Sequence, residues 1–322
     1  SKREAGAEGP VFTLASRLDD EPLRVETPVG MWEPANYDGR FQGSVTLRDA
    51  LERSLNVPFA RLGLRVGGEQ IVETAKKLGI DSPLNPYPSL ALGASEVTPL
   101  ELTRAYGVLA AGGFRAGLTT TLASVDGRGR TLPQARQVGA RAYDPEETYL
   151  VTSALLGAVE RGTGRALRYW GFHGDVAAKS GTTNDFRDGW FVGYTPNLVV
   201  GVWVGFDHGD RLEIPGAGAA LPIFSRFLKE AVGSAGISGP WGSDGFAVPS
   251  GLERARVGED SGRRGRWSCS GEPELFLRGT APEDRCWGDY FDRRSLERVL
   301  NRGGTEAREL LRLLLDRFGR DR

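Results

Sequence analysis

Lys179-Ser180-Gly181-Thr182-Thr183 brings a cation, three hydroxyls and one bare backbone position into five consecutive residues. A strand carrying that set makes a surface for anions. The ammonium supplies positive potential, the hydroxyls donate hydrogen bonds, and glycine lets a ligand approach the backbone N–H groups closely. Side chains alternate along a strand, so the hydroxyls of Ser180, Thr182 and Thr183 alternate on and off one face. The long apolar runs that follow predict that the segment begins a buried strand. A lysine there costs several kcal/mol unless it is paired or faces a cleft. Lysine is also the exception in this chain: of 41 basic residues only Lys2, Lys76, Lys77, Lys179 and Lys229 are lysine. A compact, reorientable ammonium differs chemically from the planar arginine fork used elsewhere. The plain alternative is an edge strand with a solvated lysine.

A second short motif, Ser54-x-Asn56, falls where a helical pattern breaks. A hydroxyl can relay a proton, and a carboxamide can hold a substrate amide from both sides. Taken alone the motif reads equally as a helix C-cap.

These side chains need a frame. Thr46 caps a helical run over 46–52, and Pro58 biases Val57 away from the helical region, so a break is expected at 54–58. Residues 59–65 and 69–79 read as helices, the second ending at Gly79, and 81–89 as a proline-rich loop. Thr98-Pro99-Leu100-Glu101 starts a helix with Pro at its first position and acid in its first turn, stopped by Gly112-Gly113. Residues 119–132 suggest a hairpin about Asp126-Gly127-Arg128-Gly129, and 145–159 a helix. Two strands, 190–195 and 198–206, join through Thr195-Pro196-Asn197; both are apolar at nearly every position, so both faces of each are expected to be buried. Residues 222–232 form another helix. Residues 1–45 read as irregular. The pattern is α+β: an antiparallel sheet covered by helices. Trp190 and Tyr194, just past the lysine motif, fit either a cleft wall or the core.

Composition excludes several functions. With 41 basic and 42 acidic residues the net charge is −1, which offers nothing to nucleic acid. No apolar run approaches the roughly 18 residues of a membrane span, and no apolar leader-type run follows Ser1-Lys2-Arg3-Glu4. The two histidines, His173 and His208, are too few for most metal sites, and Asp207-His208-Gly209-Asp210 reads as a turn. No metal or cofactor is expected. Cys269 and Cys286 fit no metal spacing; they read either as two free thiols or as a disulfide outside the cytosol. Residues 235–300 are rich in Gly, Pro and Arg; the arginine-rich segment 254–266 reads as a solvated loop. Ala307, Leu310, Leu311, Leu314 and Phe318 recur at helical spacing over 305–318, as in a docking helix.

In this order, Ser54-x-Asn56 and Lys179-Ser180-Gly181 resemble the second and third of three motifs, S-x-x-K, S-D-N and K-T-G, of penicillin-binding transpeptidases. The likeness extends to whole phrases. WEPANYDGRFQGSVTLRDALERSLNVPFARL, SLALGASEVTPLELTRAYGVLAAGG and KSGTTNDFRDGWFVGYTPNLVVGVWVGFD are similar to stretches of the bifunctional, class A members that carry a glycosyltransferase domain. So is the ending, with Cys269, Glu274 to Thr280 and Cys286. The resemblance covers about residues 15–290.

It implies a serine transpeptidase/β-lactamase-like fold, incomplete at the N-terminus, in residues 1–235, with 236–322 as a C-terminal extension. It implies a D,D-transpeptidase that cross-links peptidoglycan stem peptides ending in D-Ala-D-Ala and is acylated by β-lactams. In that reading Ser54 relays a proton, Asn56 positions the substrate amide and Lys179 supplies positive potential. Ser180 and Thr182 hold the carboxylate on a strand opened by Gly181 and continued by Thr183. The resemblance places the protein at the outer face of the cytoplasmic membrane or in the periplasm, in a cell-wall synthesis complex, anchored only through a segment upstream. One motif departs. The residues three before Lys76, Lys77, Lys179 and Lys229 are Glu73, Thr74, Val176 and Arg226, so the chain has no S-x-x-K. The nucleophile is therefore expected outside it, in a longer protein. Alternatives are a homologue that recognises stem peptides or β-lactams without acylation, and a carboxypeptidase or β-lactamase on the same fold.

Overall fold

A computed structural model describes residues 12–28, 30–121, 123–132, 139–183, 186–212, 214–233, 244–258 and 272–283. The cysteines, the docking-helix segment 305–318 and most of the arginine-rich segment lie outside the described residues. The chain divides into two compact units, Ser1–Glu253 with Leu275–Gly279, and Arg254–Glu274 with Thr280–Arg322. In the second, Val257 N donates to Glu272 O at 3.3 Å.

The first unit opens with short strands where the sequence reads as irregular. They are β1 (Arg17–Asp20), β2 (Val25–Thr27), β3 (Gly30–Trp32) and β4 (Gly43–Thr46). Each is too brief to show a period of two, and the antiparallel pairs β1–β4 and β2–β3 create them. Helices follow: α1 (Leu47–Glu52), α2 (Asn56–Val66), α3 (Gly68–Leu78) and α4 (Pro99–Ala110). Thr46 caps α1 by accepting from Asp49 N, and Thr98 with Glu101 closes a reciprocal capping box on α4. The break at 54–58 is shorter than expected: Val57 and Pro58 both lie inside α2. Proline in a first turn removes an N–H that has no partner within the helix anyway, so the break belongs to residues 53–55 alone.

After α4 come β5 (Phe114–Arg115), β6 (Ala140–Arg141), α5 (Pro145–Glu160) and α6 (Ala166–Tyr169). The expected hairpin over 119–132 reduces to one bridge, Val125 to Thr131. Then β7 (Ala177–Thr182), β8 (Asp188–Tyr194) and β9 (Val199–Gly205) form an antiparallel sheet in that order, and α7 (Gly216–Val232) follows. α7 starts six residues before Pro222, its first turn closed by Gly218 N and Ala219 N donating to Pro215 O at 2.7 and 3.1 Å. A further pair, β10 (Leu252–Arg256) and β11 (Pro273–Leu277), completes the strands; the first overlaps residues read as loop.

The sheet is packed on both faces. Val176, Ala178 and Phe191 meet Leu221, Phe224 and Leu228 of α7, and Ala177 and Tyr194 meet Leu155, Tyr106 and Leu109 of α5 and α4. The alternation of Ala177 and Ala178 between clusters is the two-residue period of a strand. β8 is buried along most of its length, as expected. β9 is not: Gly201 and Trp203 are exposed. β9 is the outer strand of the described sheet, so its covering is incomplete. The lysine motif also ends β7 rather than beginning it: Ala177 and Ala178 are buried, Lys179 to Gly181 half-buried, and Thr182 exposed. The strand thus carries the polar residues out of the core to its open end.

Candidate active site

The site begins at the C-terminus of α1. Ser54 N donates to Leu51 O at 3.1 Å and Leu55 N to Ala50 O at 2.9 Å, while Ser54 has φ of 57°. This is the Schellman ending of a helix, with serine in the left-handed position that glycine usually fills. An L residue there costs roughly 1 kcal/mol. The helix C-cap reading of Ser54 is therefore met.

The left-handed turn aims the Ser54 hydroxyl at β7. Lys179 Nζ donates to Ser54 Oγ at 2.7 Å and to Ser180 O at 3.0 Å. Lys179 is half-buried, and the desolvation falls on its ammonium group, pushing its pKa down to about 8. Near neutral pH its charged and neutral forms are thus closer in energy than for a free lysine, a property expected of a proton-handling site. Ser180 Oγ donates to Thr163 Oγ1 at 2.9 Å. Gly181 lies opposite Trp190 in the sheet register, and a Cβ on it would stand 3.2 Å from the Trp190 Cβ. Glycine keeps that edge of the strand low.

Asn56 starts α2, and its Nδ2 donates to Ala35 O at 2.8 Å. Its backbone N donates to Asn36 Oδ1 at 2.9 Å, as does Val57 N at 3.2 Å. Asn36 Nδ2 in turn donates to Asp20 Oδ1 at 2.7 Å and to Arg40 O at 2.8 Å. Buried Asp20 is held by Gln42 N at 3.0 Å. Asn36 therefore caps α2 from outside the helix, and Asp20 orients Asn36. Sequence reading missed both. The local signal is only that Leu55, at the N-cap of α2, has no side chain able to cap it.

Ser54 and Lys179 are brought together, and Ser180 adjoins Lys179 along β7 with its hydroxyl on Thr163. Asn56 stands one turn of chain beyond Ser54. Thr182 is exposed at the end of β7. The Thr183 hydroxyl accepts from Asp188 N at 2.8 Å and closes the β7–β8 turn. Phe186 in that turn meets Tyr37 edge-on, ring centroids 6.2 Å apart. Trp190 lies 6.4 Å from Trp203. Tyr194 is core: it is fully buried, its Oη is 2.8 Å from Thr152 Oγ1, and burial pushes its phenol pKa upward. The nearest sequence match to S-x-x-K, Thr74 to Lys77, lies within α3, where Lys77 pairs with Glu73 at 2.7 Å. The turn after β9 contains His208, with Gly209 N donating to Phe206 O at 3.1 Å. Among the described residues no cluster of His, Cys, Asp or Glu suits a metal, and no helix is long and apolar enough to cross a membrane.

A hydroxyl beside a desolvated ammonium, next to a second hydroxyl on an open strand, can bind a carboxylate and pass a proton. Comparison with known proteins identifies the family. The penicillin binding protein transpeptidase domain matches residues 5–229. Penicillin-binding protein 1B of Vibrio cholerae is 36% identical over 220 residues, covering 68% of this chain and 28% of that protein. The crystal structure of penicillin-binding protein 1A from Haemophilus influenzae superposes with a TM-score of 0.78 at 25% identity, over 86% of this chain and 46% of that one. The PonA1 protein of Mycobacterium tuberculosis, solved in complex with penicillin V, gives 0.60 at 25% identity over 74% and 70%. The chain thus spans less than a third of the Vibrio protein's length. Its α+β architecture is the transpeptidase fold, and the chain belongs to the penicillin-binding protein transpeptidase family, close to its class A 1A and 1B members.

Proposed function

We propose that residues 1–235 supply the carboxylate-binding and proton-relay part of a serine D,D-transpeptidase site, with 236–322 as an extension. The substrate is a peptidoglycan stem peptide ending in D-Ala-D-Ala. A serine from an S-x-x-K segment outside these 322 residues attacks the penultimate carbonyl. The C–N bond to the terminal D-alanine breaks, its nitrogen takes a proton, and the acyl group passes to an amine of a neighbouring strand. β-Lactams acylate the same serine. The observation that carries this reading is the 2.7 Å hydrogen bond from Lys179 Nζ to Ser54 Oγ, made between residues 125 apart in the chain.

Because Lys179 donates to Ser54 Oγ, the Ser54 proton is free to point at the leaving nitrogen, with Lys179 behind it as the proton source. Lys179 also provides positive potential for the substrate carboxylate, which Ser180 and Thr182 hydroxyls hold. Asn56 orients the peptide through the Oδ1 of its amide group, its Nδ2 being given to Ala35 O, Gly181 and Thr183 shape the strand edge, and the Thr182 N–H offers half an oxyanion hole. The work takes place outside the cytoplasmic membrane, within cell-wall synthesis.

The test is acylation by benzylpenicillin. In a longer protein that includes the upstream serine, Lys179→Met is expected to slow acylation by about 10²–10³. Chain 1–322 alone is expected to give no mass adduct. A stoichiometric adduct on it, or wild-type acylation by the Lys179→Met protein, would overturn the assignment. The absence of S-x-x-K favours one second reading, a homologue that binds stem peptides without acylation; a longer protein that binds but never acylates would establish it.

A further inference from the structure

Glu52 lies two residues before Ser54, at the end of α1, and is buried. Its carboxylate accepts from Arg161 Nη2 at 2.6 Å and Nε at 3.1 Å, a two-point clamp, and from Arg48 Nη1 at 3.3 Å. Arg48 also reaches the carbonyl and hydroxyl of Ser153 on α5, at 3.0 and 2.8 Å. The backbone of Glu52 is used as well: its carbonyl accepts from Thr163 N at 3.2 Å. The chain makes room for this contact. A Cβ on Gly157 would fall 1.8 Å from Glu52 Oε1, and one on Gly162 2.0 Å from Glu52 O.

The loop so held, Arg161 to Gly164, carries Thr163, whose Oγ1 lies 2.9 Å from Ser180 Oγ. Lys179 and Ser180 are consecutive in β7 and so project from opposite faces of the sheet. Each is met by a segment anchored on Glu52. We propose that Glu52, with Arg161 and Thr163, is a positioning bridge: it holds Ser54 against Lys179 on one face of β7 and Thr163 against Ser180 on the other.

The chemistry gives Thr163 a definite task. When the hydroxyl pair reverses, Thr163 donates to Ser180 Oγ, and the Ser180 proton is released toward a carboxylate. A hydroxyl that accepts one hydrogen bond donates a stronger one. Glu52 sets the distance over which this happens, because its carboxylate and carbonyl hold the Arg161–Gly164 loop and its chain leads directly into Ser54. The role of Thr163 rests on Ser180 being a carboxylate donor, as proposed above; the role of Glu52 does not.

Two readouts separate the two ideas. The chain has five lysines, so Cε–Hε NMR of lysine-labelled protein resolves Lys179, assigned by its loss in Lys179→Arg. The wild type is expected to show one lysine titrating near pH 8. Glu52→Gln cannot accept both Arg161 donors; it is expected to loosen the Ser54 loop, admit water and raise that midpoint by about a pH unit or more. If this variant does not fold by thermal melt, Arg161→Met, which leaves Glu52 with Arg48, replaces it with the same expectation. The second readout is affinity for acetyl-D-Ala-D-Ala. Thr163→Val is expected to weaken it about tenfold while Lys179 titrates unchanged, and Thr163→Ser to restore it.

A Lys179 midpoint that stays at the wild-type value in the folded Glu52 or Arg161 variant overturns the bridge, whatever the peptide does. Wild-type protein that fails to bind the peptide, with the midpoint still moved by Glu52→Gln, rejects the carboxylate reading and leaves the bridge standing. Peptide binding unchanged by Thr163→Val removes Thr163 from it.

Discussion

The buried start and the open end of β7 are packed in opposite ways. On the α7 side, Ala178 belongs to a cluster with Phe191, Phe224, Leu221 and Leu228, every one fully buried. A few residues along the same strand, the open end holds a desolvated ammonium, a serine in left-handed backbone and a buried carboxylate clamped by arginines. The first region lowers the free energy of the fold; the second raises it and is held in place by the first. What distinguishes them is the sign each residue contributes when it is removed.

The largest test lies in the core. Phe224 stacks edge-on against Phe191 with centroids 4.8 Å apart. Phe224→Ala is expected to destabilise the chain by about 3–5 kcal/mol in urea unfolding. A loss under about 1 kcal/mol would show that α7 does not anchor the sheet.

Lys179→Met is expected to move stability the other way. Its pKa falls from 10.5 unfolded to about 8 folded. The folded state therefore disfavours the proton; the penalty is complete below pH 8 and disappears as pH rises through 10.5. The methionine variant should gain up to about 3 kcal/mol at pH 7 and lose that advantage above pH 10.5. A variant less stable than wild type at pH 7 would mean that the bond to Ser54 outweighs desolvation.

Ser54 gives a smaller, cleaner contrast. Ser54→Gly and Ser54→Ala both remove the hydroxyl, but only glycine suits a φ of 57°. The glycine variant is expected to be the more stable by about 1 kcal/mol. Equal stabilities would mean that the turn relaxes in the alanine variant.

The smallest effect concerns a polar cluster at the start of α4. Hydrogen bonds from the Ser82 hydroxyl, then from Thr98 N and Oγ1, pull the Glu101 carboxyl pKa down to about 2. Its contribution is present above the unfolded value of 4.5 and fades as pH falls toward 2. Glu101→Gln should flatten the acid limb of the stability curve in that window while the Lys179 titration stays put. A wild-type acid limb would remove the cluster from the set of stabilising contacts.

Much of this was legible before any coordinates. Thr46, Thr98, Glu101 and Gly79 signalled helix ends through chemistry that acts within a few residues. Lys179 stood out because a cation among small residues contradicts a buried strand, and Ser54 because a polar residue marked a helix break. What stayed hidden depends on partners distant in sequence. Asp20 and Asn36 act on Asn56 across twenty residues or more, and Glu52 on Arg161 across 109. No period or spacing announces such pairs. β1 to β4 were missed for the same reason: three or four residues become strands only through pairing. The end of β7 differs from expectation because the apolar run after Lys179 belongs to β8, while the helices on the two faces cover the start of β7 and leave its motif end open.

The left-handed turn at Ser54 has an evolutionary corollary. Serine and glycine codons differ by one base in part of the code, and at this position glycine suits the backbone better. Random drift should therefore carry a lineage freed from chemical duty toward glycine early. A population in which position 54 remains serine is one where selection is still acting on the hydroxyl, and sequencing natural variants reads that pressure without an assay.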